Sequence, residues 1–381
     1  MEKVRFGIIG LGNQGSYYCR LFCDDGGSIK NGVLTAVADI NPAKVSSIRE
    51  KYGDRFAYFD SAEALMDSGL VDCVLIEVPH YQHPTLAIEA MKRHLHAVVE
   101  KPAGVYTKQV QEMLDYAKTS DRLLGIMFNQ RTNPAFKKMK ELVANGEVGE
   151  VKRASWIITD WYRTQQYYDS GDWRATWEGE GGGVLYNQAP HQLDLYSWIL
   201  GMMPSRVRAF CHFGKWHKIE VEDDVTAYLE FPNGATGTFI TTTADAPGSN
   251  RFEITGTKGT LVFEGKRVTF TRLAVDEREH CFSCPTGFTP PDKTVEVFDF
   301  EDAGPQHSGI LNNVANAILG LEPLYASADD GINGVTLANA MHLSTFLDKT
   351  IDLPLDGDLF YTELQKRIRE SRERKAASSA K

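Results

Sequence analysis

The 381-residue chain predicts an α/β domain built on a parallel sheet, followed by an α+β domain around a large, mostly antiparallel open sheet. Three observations carry that expectation. Strand-like and helix-like segments alternate through the first 130 residues, the signature of βαβ units covered on both faces. A glycine-rich turn joins the first strand to the first helix. Beyond Gly149 the pattern changes to short β-rich runs separated by turn residues, as antiparallel hairpins require.

Val4–Ile9 reads as a buried strand, and a helix follows over residues 12–22. Residues 33–39 form the next strand and Pro42–Tyr52 the next helix, with proline in its first turn. A long apolar strand at 72–79 precedes the helix 83–94. A short strand at 97–102 leads to the helix 108–119, whose apolar positions Val110, Met113, Leu114 and Ala117 fall on one side. Residues 123–129 close the series, and the helix 134–145, stopped by Gly146, leads out. In the second region residues 151–161, 207–213, 225–231, 235–243, 252–256, 260–263, 267–271 and 295–298 are strand-like. Turns such as Pro232-Asn233-Gly234 and Thr257-Lys258-Gly259 join them. Helices are expected at 183–200, 309–319 and 333–347. The organisation is therefore 1–130, a first α/β domain; 131–362, a substrate-binding and oligomerisation domain; and 363–381, a charged tail read as a frayed helix or disorder.

Composition narrows the function classes. With 41 Lys+Arg against 51 Asp+Glu the formal net charge is −10, which argues against a nucleic-acid partner. A 42% hydrophobic and 24% charged chain has a globular composition, and no apolar run reaches the ~18 residues of a membrane span. The opening residues lack a signal-peptide pattern, so a cytoplasmic location is expected. Cys19, Cys23, Cys73 and Cys211 stand singly, as reduced cysteines do. Cys281-Phe282-Ser283-Cys284 beside His280 lacks the second pair of a structural zinc site, so no metal is expected. An open sheet with one uncovered face would need burying, which predicts a homodimer or homotetramer.

Gly10-Leu11-Gly12-Asn13-Gln14-Gly15 matches G-x-G-x-x-G directly after a strand and at the start of a helix, the Rossmann dinucleotide-binding arrangement. Its amides and the positive helix end suit a pyrophosphate. Asp39 ends the second strand 24 residues after Gly15, where a carboxylate meets ribose hydroxyls. That carboxylate repels a 2′-phosphate, and Ile40 rather than a basic residue follows it, so NAD is expected over NADP.

Glu100-Lys101-Pro102, the Gly10–Gly15 turn and the segment from Gly181-Gly182-Gly183 to His191-Gln192-Leu193-Asp194 together resemble the Gfo/Idh/MocA oxidoreductase family. That family includes glucose–fructose oxidoreductase and myo-inositol dehydrogenase. The resemblance spans nearly the whole chain. It implies oxidation of a sugar, glycoside or cyclitol hydroxyl by hydride transfer to a nicotinamide, or the reverse reduction. By position it implies that Lys101 contacts the reacting hydroxyl and nicotinamide ribose, beside Glu100, and that His191 is the general base. Pro79, His80 and His83 match the loop that passes over the cofactor, with His80 where the family has asparagine and Val78 where it has threonine. Asn129 lies in the strand-end segment that joins the domains. The chemistry of these residue types agrees: a histidine accepts a proton near neutral pH, and an ammonium stabilises a forming alkoxide.

An aromatic stretch runs from Trp156 to Trp177. Tyr162, Tyr168, Trp173 and Arg174 are candidates for contacting a pyranose, whose apolar face suits rings and whose hydroxyl rim suits a guanidinium. His307, near a helix start, is a further substrate candidate. Where the family carries aspartate four residues before the histidine, this chain has Asn187. On a helix over 183–200, positions 187, 191 and 194 share a face, so Asn187 can orient His191 or a sugar hydroxyl. Asp194 is then a candidate for the missing charge, a solvated or salt-bridged surface aspartate being the alternative. Asn187→Asp is expected to keep the fold and move the rising limb of the pH profile upward. Two other functions fit the same resemblance: an NAD-dependent glycosidase working by transient oxidation and elimination, and a non-catalytic NAD-binding regulator.

Overall fold

The computed structural model describes residues 3–24 and 27–379. The chain divides into two compact units. The first comprises Met1–Asn129 and Pro305–Val335; the second comprises Gln130–Gly304 and Thr336–Lys381.

In the first unit the elements follow in the order β1 (Val4–Ile9), α1 (Asn13–Cys23), β2 (Gly32–Ala38), α2 (Pro42–Tyr52), β3 (Ala57–Phe59), α3 (Ala62–Met66), β4 (Cys73–Ile76), α4 (His83–Lys92), β5 (His96–Val99), α5 (Thr107–Thr119) and β6 (Leu124–Ile126). The six strands are all parallel, in the order β3-β2-β1-β4-β5-β6. Strand order reverses between β1 and β4, and ligands of open α/β sheets bind in the crevice at that point. The turns after β1, β4 and β5 all emerge there. Phe6, Ile8, Val74, Leu75, Val98 and Val99 are fully buried, as strands covered on both faces must be.

A domain running unbroken over 131–362 is not what forms. The helix of 306–318 buries Ile310, Leu311, Val314 and Ala315 in the same core as Phe6 and Val37. Just beyond it, Ala326 accepts a bond from the Ile126 amide at 3.0 Å. An amphipathic stripe states that a helix packs, and leaves open on which sheet.

The second unit opens with α6 (Pro134–Ala144), β7 (Val151–Ile158), α7 (Gln165–Tyr168) and α8 (Pro190–Leu200). Strands β8 (Arg206–Phe213), β9 (Glu222–Glu230), β10 (Thr236–Thr242), β11 (Asn250–Gly256), β12 (Gly259–Glu264) and β13 (Arg267–Leu273) follow. After them come α9 (Glu277–Ser283) and β14 (Lys293–Asp299). The chain returns from α10 (Gln306–Ile318) through α11 (Gly331–Leu347), β15 (Ile351–Asp352) and α12 (Gly357–Ser379). The sheet order is β14-β13-β12-β11-β7-β10-β9-β8-β15, antiparallel except for the parallel pair β7 and β10. Trp156, Phe239, Phe252 and Phe270 are fully buried on one face. Trp156 stacks on Phe252 with centroids 4.3 Å apart, so this tryptophan is sheet packing. Tyr196 of α8 donates to the Ala154 carbonyl at 2.7 Å, which fixes α8 against the sheet.

Two further expectations are corrected. The helix expected over 183–200 begins only at Pro190, and residues 184–188 are turns. Gly183, the last of three consecutive glycines, opens the run and Pro190 interrupts it, and proline is tolerated only in a first helical turn. The tail expected to fray is helical through Ser379. Phe360, Leu364, Ile368 and Ser371 are buried along one stripe, while Arg372 pairs with Glu178 at 2.7 Å. The surrounding charges mask that four-residue spacing in the sequence.

Candidate active site

Each unit carries part of the expected site. In the first, Gly10 has φ +100°, and an added Cβ would lie 2.4 Å from the Glu77 carbonyl oxygen. At Gly15 a Cβ would lie 1.9 Å from the Gly10 carbonyl oxygen, so glycine lets α1 pack close to the turn. Around Gly12 a Cβ would meet nothing within 4 Å. Gly12 is also the N-cap of α1 and supplies no side-chain cap, which leaves the first amides, from Asn13 and Gln14 onward, facing an open cradle. These features fit a dinucleotide pyrophosphate.

Asp39 closes the other side of the cradle. Its Oδ2 accepts from the Leu11 amide at 2.7 Å and its Oδ1 from the Asn41 amide at 2.8 Å. A carboxylate has about four acceptor positions, so these bonds orient Asp39 and leave capacity for ribose hydroxyls. Lys44 Nζ stands 3.4 Å from Oδ2, and Ile40 is exposed to solvent.

The loop after β4 holds Pro79, exposed, and His80, buried in a single helical turn. Both ring nitrogens of His83 lie against carbonyl oxygens, Nδ1 at 2.8 Å from Pro102 and Nε2 at 2.7 Å from Val78. His83 therefore ties this loop to the Glu100-Lys101-Pro102 segment, and burial holds its pKa below the usual value. Glu100 Oε1 accepts from the Tyr18 hydroxyl at 2.5 Å, and Oε2 accepts from the Lys101 amide at 2.9 Å. Both oxygens of Glu77 are buried with no hydrogen-bond partner among the described residues. Burial and the neighbouring Glu100 charge push the Glu77 carboxyl well above its ordinary range.

His307, expected with the substrate residues, lies in the first unit. Its ring packs edge-on against Tyr17 and Tyr18 at 5.3 and 5.7 Å. Burial, reinforced by the Lys101 charge, lowers its pKa to about 4, so this imidazole is neutral through the physiological range. Asn129 donates to Gln306 Oε1 at 2.7 Å, next to His307. The first unit thus gathers the glycine turn, Asp39, the 79–83 loop, Glu100, Lys101, Asn129 and His307.

In the second unit His191 is the second residue of α8, behind Pro190. The glycines ahead of it are sterically required. A Cβ at Gly182 would lie 2.2 Å from the Tyr186 ring, and one at Gly183 would lie 2.0 Å from the Glu222 carbonyl oxygen. Glu222 Oε1 accepts from the amides of Gly183 and Leu185 at 2.9 and 3.0 Å, which clamps the turn. Asp194, the candidate for the missing charge, is salt-bridged. Its carboxylate is gripped by Arg131, Oδ1 at 2.5 Å and Oδ2 at 2.9 Å, with both side chains almost wholly buried.

The aromatic stretch divides. Tyr162 and Trp173 are exposed, at 51% and 39%. Tyr168 turns into the core, its hydroxyl 2.7 Å from Thr243 Oγ1 and its ring 4.8 Å from that of His217. Tyr167 takes the position expected of Tyr168: its hydroxyl donates to Asn187 Oδ1 at 3.0 Å and accepts from Arg174 Nη1 at 2.7 Å. The Arg174 guanidinium lies 4.4 Å from the Tyr167 ring centroid and 4.7 Å from that of Trp173. Tyr18, Glu77, Tyr167, Glu180, Gln188 and Glu222 were not singled out for the site by the sequence. Tyr18 and Glu222 meet partners far away in the sequence, and the others make their contacts at irregular loop spacings, so no local period marks them, although Glu180 directly precedes the triple glycine.

Residues 4–128 match the oxidoreductase family with an NAD-binding Rossmann fold, and residues 136–262 match the GFO/IDH/MocA C-terminal domain. The chain is similar to a myo-inositol 2-dehydrogenase of Thermotoga maritima, 28% identical over 72% of this chain and 79% of the relative. It is also similar to a D-glucoside 3-dehydrogenase of Escherichia coli, 28% identical over 61% of this chain and 68% of the relative. Among solved structures, the WlbA dehydrogenase from Bordetella pertussis in complex with NADH and UDP-GlcNAcA superimposes with a TM-score of 0.77. It is 25% identical and covers 93% of this chain and 100% of its own.

Proposed function

The chain belongs to the Gfo/Idh/MocA oxidoreductase family, and from that premise we propose that it is an NAD-dependent dehydrogenase of a sugar, glycoside or cyclitol hydroxyl. The observation that carries this reading is Lys101, two residues past β5 at the carboxyl end of a parallel sheet whose glycine turn and Asp39 fit a dinucleotide. NAD, when bound, supplies the hydride acceptor. The uncapped amides of α1 hold its pyrophosphate, and Asp39 takes ribose hydroxyls. Lys101 stabilises negative charge developing on the substrate oxygen, and His191 removes the hydroxyl proton at a ring nitrogen. Arg174 and Trp173 bind the sugar rim and face. The named dehydrogenase activities of the relatives favour this reading over a glycosidase or a silent regulator.

The test is an NAD-reduction screen of polyols, aldoses and glucosides beside an aglycone-release assay. Steady NADH production with at least one free sugar is expected, together with tighter binding of NAD(H) than NADP(H) by fluorescence titration. Aglycone release without net NADH would replace the dehydrogenase by the glycosidase, and equal cofactor affinities would remove Asp39 from the selection of NAD.

The second sheet supports self-association. Cross-strand register places Phe210, Thr226, Ile240, Ile157 and Arg251 in one row, with Tyr228 in the next, on the face opposite Trp156's neighbours in the core. Phe210 and Tyr228 are 52% and 44% exposed. A second copy covering this face would bury them. Phe210→Glu combined with Tyr228→Lys should lower the mass measured by light scattering, and an unchanged mass would place any interface elsewhere. No described helix is long and apolar enough to cross a membrane.

A further inference from the structure

We propose that Glu180 is the positioning residue of the second unit's part of the site: its buried carboxylate sets the direction of a hydrogen-bond chain through Asn187 and Tyr167 to Arg174. The proposal deepens the dehydrogenase reading above and rests on it for its kinetic consequences.

The chain can be read from its fixed end. Glu180 is 1% exposed, and its Oε2 accepts from the Ala175 amide at 2.6 Å. Its Oε1 accepts from Asn187 Nδ2. The atom of Asn187 that faces the carboxyl is therefore its NH₂ group. That forces Asn187 Oδ1 to the other side, where it accepts from Tyr167 Oη and from Gln188 Nε2, each at 3.0 Å. With its proton committed to Asn187, the Tyr167 oxygen has only lone pairs left. It accepts from Arg174 Nη1 at 2.7 Å and from Gln188 Nε2 at 3.2 Å. Tyr167 is thereby saturated and donates nothing to a substrate. Its role is to hold Arg174, whose guanidinium also lies over the Tyr167 and Trp173 rings. One buried carboxylate thus determines an amide orientation, a hydroxyl direction and the seat of a cation.

Among the described residues, the charged and titratable groups that face this chain include Arg163 on its open side, with Glu222 and His342 behind the glycine turn. The carboxylate that meets residue 187 is that of Glu180. To the expectation that Asn187→Asp keeps the fold, this contact adds a cost in stability. An aspartate there meets Glu180 at hydrogen-bonding distance, and two carboxylates in contact must share a proton.

Three variants test the assignment: Glu180→Gln, Asn187→Asp and the two combined. In Asn187→Asp the shared proton raises a folded-state pKa above its unfolded value. The stability it gives is present at low pH and lost as pH rises. The unfolding midpoint should therefore fall between pH 5 and pH 8 by roughly 5 °C or more relative to wild type. In Glu180→Gln the amide oxygen stays on the Ala175 N–H and the new NH₂ faces Asn187. Asn187 must then turn over and present donors to Tyr167, reversing the chain. We expect kcat to drop on the order of 10–100-fold, with KM changed less and NADH affinity retained. In the combined variant the new amide at position 180 donates to the new carboxylate at position 187. That carboxylate accepts from Tyr167 and Gln188, which restores the original direction. The combined variant should remove the added pH dependence of the midpoint and recover about tenfold in kcat over Glu180→Gln. Additive losses in the combined variant, or a wild-type pH dependence in Asn187→Asp, would overturn the proposal. Rescue of the midpoint alongside no sugar oxidation by any form, wild type included, would support the chain and overturn the dehydrogenase reading instead.

Discussion

Replacing Lys101 by alanine is expected to lower turnover by at least about 100-fold while leaving NAD affinity largely intact. The asymmetry follows from where the lysine stands. The cofactor cradle is built by Gly10, Gly12 and Gly15 and by Asp39, whose bonds to the Leu11 and Asn41 amides do not involve Lys101. The reacting oxygen, by contrast, develops negative charge that only a nearby cation or donor offsets. Nor should the fold collapse on losing the ammonium. Glu100 keeps its bonds from Tyr18 and from the residue 101 amide, both unaffected by the side chain. The Lys101 charge does pull the Glu100 carboxyl down against the effect of burial. Without it, the Glu77–Glu100 pair holds protons more firmly and remains neutral enough to stay buried. Steady-state rates and a fluorescence titration with NADH, on the same preparation, check both halves. Near-normal turnover would mean that Glu100-Lys101-Pro102 serves structure only.

The contrast between what local pattern revealed and what it did not has a physical basis. The parallel sheet was legible because each strand is apolar throughout and each helix carries its own stripe and stop signals. The cradle was legible because a phosphate needs glycines at fixed offsets from a strand end. The polar frame was not legible. Tyr18 and Glu100 are 82 positions apart, Arg131 and Asp194 are 63 apart, and Glu222 reaches amides 39 and 37 positions back. Such pairings depend on tertiary placement and leave no period in the sequence. The position of α8 shows the same limit at short range. A run from Gly183 to Leu200 is apolar enough for a helix, yet close approach at Gly182 and Gly183 and the proline at 190 confine the helix to its second part. His191 consequently sits in the first turn of α8, where its position depends on how firmly that helix is held.

That dependence makes Arg131→Ala the variant with the largest expected effect on stability, about 3–5 kcal/mol. Arg131 and Asp194 form a bidentate pair with both side chains about 2% exposed, and the guanidinium also lies 5.3 Å from the Trp198 ring centroid of the same helix. A buried pair of this kind is not necessarily more stabilising than apolar residues of similar volume, because each ion has been taken out of water. Removing one partner is different, since it leaves the other charge buried without its counter-ion. At 2–4 °C per kcal/mol for a unit of this size, the unfolding midpoint should fall by roughly 6–20 °C. Asp194→Ala should cost about as much, stranding the guanidinium. Arg131→Met with Asp194→Leu should cost much less than either single change, because no charge is left behind. Thermal unfolding of the three variants measures this directly. If either single substitution leaves the midpoint within about 2 °C of wild type, the pair is not what holds α8. If instead the singles fall and the double recovers, the aspartate of the His191-Gln192-Leu193-Asp194 motif is a structural anchor. The histidine then draws its orientation from the helix that Asp194 secures, through position and not through charge.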